Sequence, residues 1–441
     1  MEKKVHFTLL IGGLLFLLLS NHTAYGAAID PSLSKLSFSG FLRIRTWYTS
    51  STIKVPDTFP ATDQHKDVDY QDLFFRNRFN IKVLPTIEIR SVFDIISALG
   101  KEETGFSMEE GTTNLVTRDV YTVIKFSDRS ELEVGLKPFS LPGGYILARD
   151  ATGIQYNHDF FNRKINAYAA IIKAFDDADD TFGEQSDPPD YQDDNIYYAG
   201  ANITFIPDIK SETYYVYEYD RYTTDDDPRE ATLSWIGLHN KLVPGNWLIR
   251  IGGIYNWGFV RWRDETGQVI RSDINAGLLE FEAGYKFNVL HCSLIAEGAT
   301  GDPDDPDDER SFQDIKSSHG FSLIAVDNTG GLAIRGSGES CWYGLYGGGL
   351  KLQSTILDSV LVKIKLMHFR TAKELERKGK KSTWFGDELD FEAEYRYREV
   401  LSLFFSTGVF RPQRAYTALE IIDHAPGGVI LEVMAGMMIS Y

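Results

Sequence analysis

Cysteine is scarce in this sequence. The 441-residue chain has only Cys292 and Cys341, and neither belongs to a Cys-x-x-Cys motif. Two cysteines cannot frame a small disulfide-rich domain, and the missing motif argues against a structural zinc module or a covalently attached haem. We therefore expect the protein to work without a bound cofactor.

Basic residues are also outnumbered. The chain has 45 Lys and Arg against 63 Asp and Glu, which gives a formal net charge of -18. Proteins that bind nucleic acids cluster Lys and Arg against the phosphates. The charge balance therefore argues against a nucleic-acid partner.

Long apolar runs are missing beyond the N-terminus. The one such run, residues 7–19, follows two lysines and precedes Ala24-Tyr25-Gly26, where the small residues suit a signal peptidase. We expect a signal peptide over residues 1–26 and a short periplasmic segment over 27–35; an uncleaved helical anchor is the alternative. No later stretch approaches the roughly 18 apolar residues of a membrane helix.

What the chain does contain is repeated two-residue alternation. In residues 387–398 one parity is apolar and the other is charged, with Leu389, Phe391, Ala393, Tyr395 and Tyr397 against Glu388, Asp390, Glu392, Glu394, Arg396 and Arg398. Successive side chains of a β-strand point to opposite faces, whereas a helix would mix the two sets. The pattern predicts a strand with one apolar surface and one charged surface.

Aromatic residues stand at both ends of the apolar face in residues 246–259. Trp247 begins that face, and Tyr255, Trp257 and Phe259 end it. Trp247 and Tyr255 are roughly 26 Å apart along an extended strand. This distance matches the apolar band and aromatic girdles of an outer-membrane barrel, although a strand of a soluble β-sandwich would alternate in the same way.

The number of strands and the lengths of their connections separate these two interpretations. Alternation and breaks at Gly, Pro, Asn and Asp predict eighteen strands, at 36–50, 73–84, 86–98, 119–127, 131–138, 150–159, 164–174, 195–205, 210–221, 230–241, 246–259, 272–286, 288–300, 341–354, 358–371, 384–398, 400–411 and 427–441. Connections after even strands are short, and most of those after odd strands are long and polar. Residues 36–441 are therefore predicted to form an all-β, antiparallel transmembrane barrel, with short periplasmic turns and long extracellular loops.

The predicted compartment is the bacterial cell outer membrane. The chain ends in an aromatic residue, Tyr441, on a closing strand. Terminal aromatic residues of this kind are read by the barrel assembly machinery, which we therefore expect as a partner together with outer-membrane lipid and lipopolysaccharide.

Several short motifs resemble the alginate-export family of outer-membrane porins. They are the Arg-x-Arg strands at 41–45 and 75–79, the strand at 132–137, the Gly-Asp-rich loop at 301–308 followed by Phe312, and the strand start at 385–390. The chain departs from the usual Gly-Arg-Gln of this family, since Leu136-Lys137 replaces the last two residues. The resemblance implies an eighteen-stranded pore.

Charged residues on the polar parity are the candidates for solute selection. The cations are Arg43, Arg45, Arg76, Arg78, Lys82 and Arg90, and the nearby acids are Glu388, Asp390, Glu392 and Glu394. A polarised constriction of this kind would select small polar or anionic solutes, with sugar acids and anionic polysaccharide among the candidates. The alternative is that these charges pair with one another across a wet lumen.

A weaker candidate is a cation site in the acidic loop, formed by Asp302, Asp304, Asp305, Asp307 and Asp308. Carboxylates at this density suit Ca²⁺, but the spacing is not that of a calcium loop, and a solvated loop is the alternative.

Two other classes of function stay open. Some outer-membrane barrels are enzymes with Ser/His groups at the rim, but none of the nine histidines lies in a recognised catalytic motif. We therefore predict that the protein is not an enzyme. A barrel that sheathes a partner electron-transfer cytochrome is the other alternative.

Overall fold

Each strand of the chain pairs with its neighbours in sequence. The structure is a computed structural model, and it describes residues 36–51, 68–100, 113–174, 191–223, 228–263, 268–301, 310–312, 321–324, 344–377, 379–418 and 428–441. The expected signal peptide and the segment at 27–35 lie outside these residues.

Eighteen strands and two short helices make up the described chain. Strands β1 to β18 are Leu36–Ser51, Val68–Leu84, Ile87–Gly100, Thr113–Ser127, Ser130–Ser140, Ala148–Phe160, Ile165–Ala174, Tyr191–Ile203, Ile209–Thr223, Pro228–Leu242, Trp247–Arg263, Val269–Phe287, Leu290–Ala299, Leu345–Ile356, Val360–Arg377, Lys380–Tyr397, Leu401–Pro412 and Ile430–Ser440. A 3₁₀ helix at Pro142–Gly144 and helix α1 at Arg414–Ala418 stand between strands. No helix among the described residues is long and apolar enough to cross a membrane.

The sheet closes on itself. All neighbouring strands pair antiparallel in chain order, and β1 pairs with β18 as well as with β2. In the closing pair, Phe41 lies opposite Ser440 and Ser51 lies opposite Ile430. The predicted fold class is confirmed.

The connections after even strands are short, as predicted. They span two to five residues, and we call their end of the barrel the short-turn rim and the other end the long-loop rim. Asn288 occupies one of the two-residue turns with φ of 51°. Asparagine tolerates this left-handed conformation better than most residues, which lets the chain reverse there.

The outer face of the barrel is apolar. On β11 the side chains of Trp247, Ile251 and Tyr255 are about half exposed, whereas Asn256, on the opposite parity, is fully buried. Cys292 follows the same rule, since it lies on the outward face between the exposed Leu290 and Leu294. Cys341 lies outside the described residues.

The apolar core lies inside the barrel. Inward-facing side chains of β7 to β12, away from the short-turn rim, are almost completely inaccessible; examples are Ile172, Ile196, Val216, Trp235 and Leu278. The alternation predicted a polar lumen, but this part of the lumen wall is apolar. The reason is a chain segment between β5 and β6 that folds inward and packs on these residues.

Tyr441 fastens the end of the closing strand to the first two strands. Its backbone N–H and C=O exchange hydrogen bonds of 3.1 Å with Gly40. Its ring stacks on Phe75, and its hydroxyl donates to Asn77 Oδ1 at 2.7 Å. These contacts join β18 to β1 and β2 on the outer face.

Deletion of Tyr441 should lower the amount of folded barrel in the membrane fraction, because the closing strand loses both its backbone and its aromatic contacts. Tyr441→Phe is the matched control, since it keeps the ring and loses a hydrogen bond worth about 1 kcal/mol. Heat-modifiable migration on gels measures the folded fraction. Equal folded fractions for the deletion and the wild type would contradict this role.

Candidate functional site in the lumen

The six predicted lumen cations lie on the inward parity of β1 to β3. In the register, Arg45 faces Asp72 and Arg76 faces Asp94 across neighbouring strands. Arg43 and Arg45 share their face with Trp47, which is buried within the barrel. Arg78, Lys82 and Arg90 continue the same parity on β2 and β3.

Three of these cations are neutralised by carboxylates. Arg76 makes a two-point contact with Asp94, at 2.7 and 2.6 Å, and Arg45 binds Asp72 through Nε and Nη2. Arg90 pairs with Glu88 at 3.2 Å. Asp94 is fully buried, so removing Arg76 would leave its charge compensated only by Arg118, whose Nε lies 3.8 Å away. These three arginines therefore fit the alternative to solute selection, in which the lumen charges pair with one another.

Arg43 differs from them, because it forms no ion pair with any residue that the structure describes. Its guanidinium carbon lies 4.8 Å from the centroid of the Phe74 ring, and Phe74 stacks on Phe41 with 5.6 Å between centroids. We call Arg43, Phe41 and Phe74 the Arg43 patch. A guanidinium without a carboxylate partner among the described residues, held against the Phe74 ring, can bind a carboxylate from the solute.

Two of the four predicted lumen acids bind backbone N–H groups of the chain itself. Glu388 and Asp390, both buried, accept hydrogen bonds from the backbone of an inward-folded stretch, residues 321–324. Leu323 N–H donates to Glu388 at 3.0 Å and to Asp390 at 3.2 Å, and Ile324 N–H donates to Glu388 at 2.8 Å. These two side chains therefore hold residues 321–324 inside the lumen.

The other two acids pair locally. Glu392 accepts from Lys363 at 2.9 Å, and Glu394 accepts from Arg396 at 2.7 Å. Within the described chain, none of the four acids contacts the arginines of β1 to β3. Strands β17 and β18 stand between β16 and β1, which is about 14 Å at about 4.8 Å per strand spacing. The acids were predicted to lie near the cations, and the two rows do not form one joint cluster.

A second inward segment lies between β5 and β6. Leu141, Ile146 and Leu147 are buried, and Leu141 N–H donates to Leu147 C=O at 2.9 Å. Gly143 and Gly144 both have positive φ, at 76° and 70°. Only glycine adopts this conformation readily, so the pair lets the segment turn back on itself within the lumen.

Tyr145 ties this segment to strands four to six positions away around the barrel. Its hydroxyl donates to Glu280 Oε2 at 2.8 Å, and the ring stacks on His239. Burial, together with the carboxylates of Glu297 and Glu280, raises the pKa of Tyr145 well above its ordinary value. The hydroxyl therefore stays protonated and remains a donor. His239 Nδ1 lies 2.6 Å from the other oxygen of Glu280.

A cavity of about 450 Å³ lies next to this contact, between the two inward segments. Its charged and polar lining comprises Lys210, Glu212, His239, Asn240, Lys241, Arg250, Glu280, Glu282, Glu297, Lys351 and Lys365. None of these residues was among the lumen candidates predicted from the sequence. Alternation could have found some of them, since Lys363 and Lys365 alternate with apolar residues as the predicted acids do. Alternation shows only that a side chain faces the lumen, however, and not which side chains border the same cavity.

The predicted cation site cannot be placed. Asp302, Asp304, Asp305, Asp307 and Asp308 lie outside the described residues. Within the described ranges, no group of three or more His, Cys, Asp or Glu side chains is arranged to hold a metal ion.

Gly143 offers a test of the inward segment. A Cβ added there would lie 2.3 Å from the Tyr145 ring, so Gly143→Ala should displace the segment and change single-channel conductance. Gly245→Ala is the matched control, because Gly245 also has positive φ but has nothing within 4 Å of the added carbon. Unchanged conductance in Gly143→Ala barrels would mean that the segment does not border the path.

The sequence matches no protein-family model and no curated protein. Solved structures do resemble the barrel. Acinetobacter baumannii OccAB2 is 13% identical with a TM-score of 0.56, over 92% of this chain and 98% of that one. Pseudomonas aeruginosa OpdK with vanillate is 14% identical with a TM-score of 0.55, over 92% and 99%.

The outer membrane protein OprD of Pseudomonas aeruginosa is a third such structure, 13% identical with a TM-score of 0.50 over 92% of this chain and 94% of that one. None of these three is described as an alginate exporter, so the alginate-export resemblance is unconfirmed. At these identities the likeness concerns the fold. The chain has the eighteen-stranded fold of outer-membrane porins.

Proposed function

We propose that this protein is an outer-membrane porin that passes small anionic solutes. The observation that carries the proposal is the Arg43 patch, where a lumen guanidinium has no carboxylate partner among the described residues. Arg45 and Arg76 beside it are already neutralised, so the unpaired charge at Arg43 is available to a solute. Charge in a narrow lumen favours ions of the opposite sign.

The apolar outer face supports the compartment. Rings and aliphatic side chains such as Trp247 and Ile251 are exposed on the outside of a closed sheet, where lipid would cover them. Outer-membrane lipid is therefore the expected surrounding. Lipopolysaccharide and the barrel assembly machinery belong to the same proposal.

Carboxylates on small rings fit the Arg43 patch best. The guanidinium supplies the charge, and Phe41 and Phe74 supply flat apolar surface. The similar barrel of OpdK is known with vanillate, which supports a ring-bearing carboxylate as one class of solute. Sugar acids share the carboxylate and the ring and are the second class.

The resemblance to alginate-export porins would extend the cargo to anionic polysaccharide. Two inward segments, at 141–147 and 321–324, narrow the lumen from different walls. This favours passage of single small solutes over a polymer chain.

One contact bears on the enzyme alternative. Ser130 Oγ lies 2.7 Å from His158 Nδ1 near the short-turn rim. Both residues lie on the outward parity, and the His158 ring packs against Phe160 among other aromatic side chains. Among the described residues, only Ser130 and Tyr156 hydrogen-bond to this ring, so no carboxylate orients it as a catalytic base. The contact therefore does not favour an enzyme.

Arg43→Gln should reduce the preference for anions, because it removes the unpaired positive charge and leaves no carboxylate unpaired. Reversal potentials in a KCl gradient across a planar bilayer measure the preference. Arg43→Lys should retain most of it.

Arg129→Gln is the control, since it removes a positive charge from the exposed turn between β4 and β5 and not from the lumen. A barrel that conducts with equal anion preference in the wild type and Arg43→Gln would refute the role of the patch.

A further inference from the structure

Two lysines face each other inside the barrel near the short-turn rim. Lys210 is the second residue of β9, Lys241 is the last but one of β10, and the register places them directly opposite. Arg250 on β11 lies directly opposite Lys241 in turn. All three line the lumen cavity, and all three are exposed within it.

The lysines are not neutralised. Neither Lys210 nor Lys241 forms an ion pair with a residue that the structure describes. Arg250 pairs with Glu282 at 3.0 Å, but Lys351 binds the same carboxylate, so one acid serves two cations. Like charges directly opposite on neighbouring strands destabilise a sheet, so this pairing does not contribute to folding.

The remaining acids around the cavity are mostly engaged elsewhere. Glu280 accepts from Tyr145 and contacts His239, and Glu297 lies close to Tyr145. Glu212 is the acid nearest in sequence to the pair, two residues from Lys210 on the same face, and it makes no ion pair with a described residue. Across the whole lining five Lys and Arg stand against four Glu, so at least one positive charge is in excess, and the two lysines are the cations that lack a carboxylate partner among the described residues.

We propose that Lys210 and Lys241, assisted by Arg250, form a second anion site that takes small solutes with two negative charges. The proposal rests on the proposed function and adds the class of solute. Side chains directly opposite on antiparallel strands have Cβ atoms about 5 Å apart, so two ammonium groups can reach one small dianion. A monocarboxylate carries one charge and would leave the second lysine uncompensated.

The place of the site in the lumen fits this role. The inward segment at 141–147 borders the cavity through Pro142 and Gly143, and the lysines lie toward the short-turn rim. Arg43, on β1, lies on another wall, eight strands from β9 in one direction around the closed sheet and ten in the other. A solute would therefore contact the two sites separately.

The experiment measures block of the chloride current by added anions in planar bilayers. Succinate is the dianion, and butyrate, with the same number of carbons, is the matched monoanion. Wild-type channels should be half-blocked by succinate at a concentration about tenfold below that of butyrate. In the Lys210→Gln/Lys241→Gln double variant, the half-blocking concentration of succinate should rise at least about tenfold, because the variant loses two ammonium groups and the loss of even one charge-assisted hydrogen bond accounts for about that factor.

Lys125→Gln/Lys286→Gln is the matched control. It removes two positive charges from strand ends at the same rim, but neither residue borders the cavity. Succinate block should stay at the wild-type concentration in this variant. A loss equal to that of the Lys210/Lys241 variant would assign the effect to the general field and overturn the site.

Inorganic phosphate at pH 8 distinguishes the kinds of dianion. Block by succinate alone assigns dicarboxylates, and block by phosphate alone assigns phosphorylated solutes. Block by neither, or equal block by succinate and butyrate, overturns the inference while leaving small-anion passage intact. The proposed function itself fails in a separate way, if wild-type barrels carry no chloride or butyrate current at all.

Discussion

Backbone hydrogen bonds between β1 and β18 close the sheet, and the rest of the structure depends on that closure. In a bilayer an unpaired N–H or C=O has no water to bind, so a spanning sheet must have no free edge. The register from Phe41–Ser440 to Ser51–Ile430 meets this condition along the whole of β18. Closure then divides every strand into an outer and an inner parity.

The inward-facing side chains change from apolar to cationic along the same strands, and the lumen cavity lies next to this change. Away from the short-turn rim, β7 to β12 present an apolar wall that receives Leu141, Ile146 and Leu147. Closer to that rim the same strands present Lys210, Lys241 and Arg250. Apolar packing and the hydrogen bond from Tyr145 to Glu280 hold 141–147, whereas 321–324 is held by its backbone N–H groups, which donate to Glu388 and Asp390, and by burial of Phe321 and Ile324.

Most lumen charges neutralise each other, because an isolated charge on a partly buried wall is costly. Asp94 and Arg76 are an example, and so are Asp72 and Arg45. The cations that have no carboxylate partner among the described residues are therefore the candidates for binding a solute. Arg43 and the Lys210/Lys241 pair are among the positions where the described lumen wall leaves a positive charge available to a solute.

Alternation and turn residues were enough to determine eighteen strands, the short turns and the face of each charged residue, because these depend on local backbone geometry and on contact with lipid. The roles of those charges required the tertiary structure. Glu388 and Arg43 were both predicted as lumen charges, yet Glu388 binds the backbone of residues 323 and 324, whereas Arg43 has no ion pair with a described residue. Lys210 and Lys241 are 31 positions apart, and only the register of β9 and β10 places them opposite each other. Which residues share a space depends on pairing and on inward folding of loops between distant parts of the chain, and neither leaves a local pattern in the sequence.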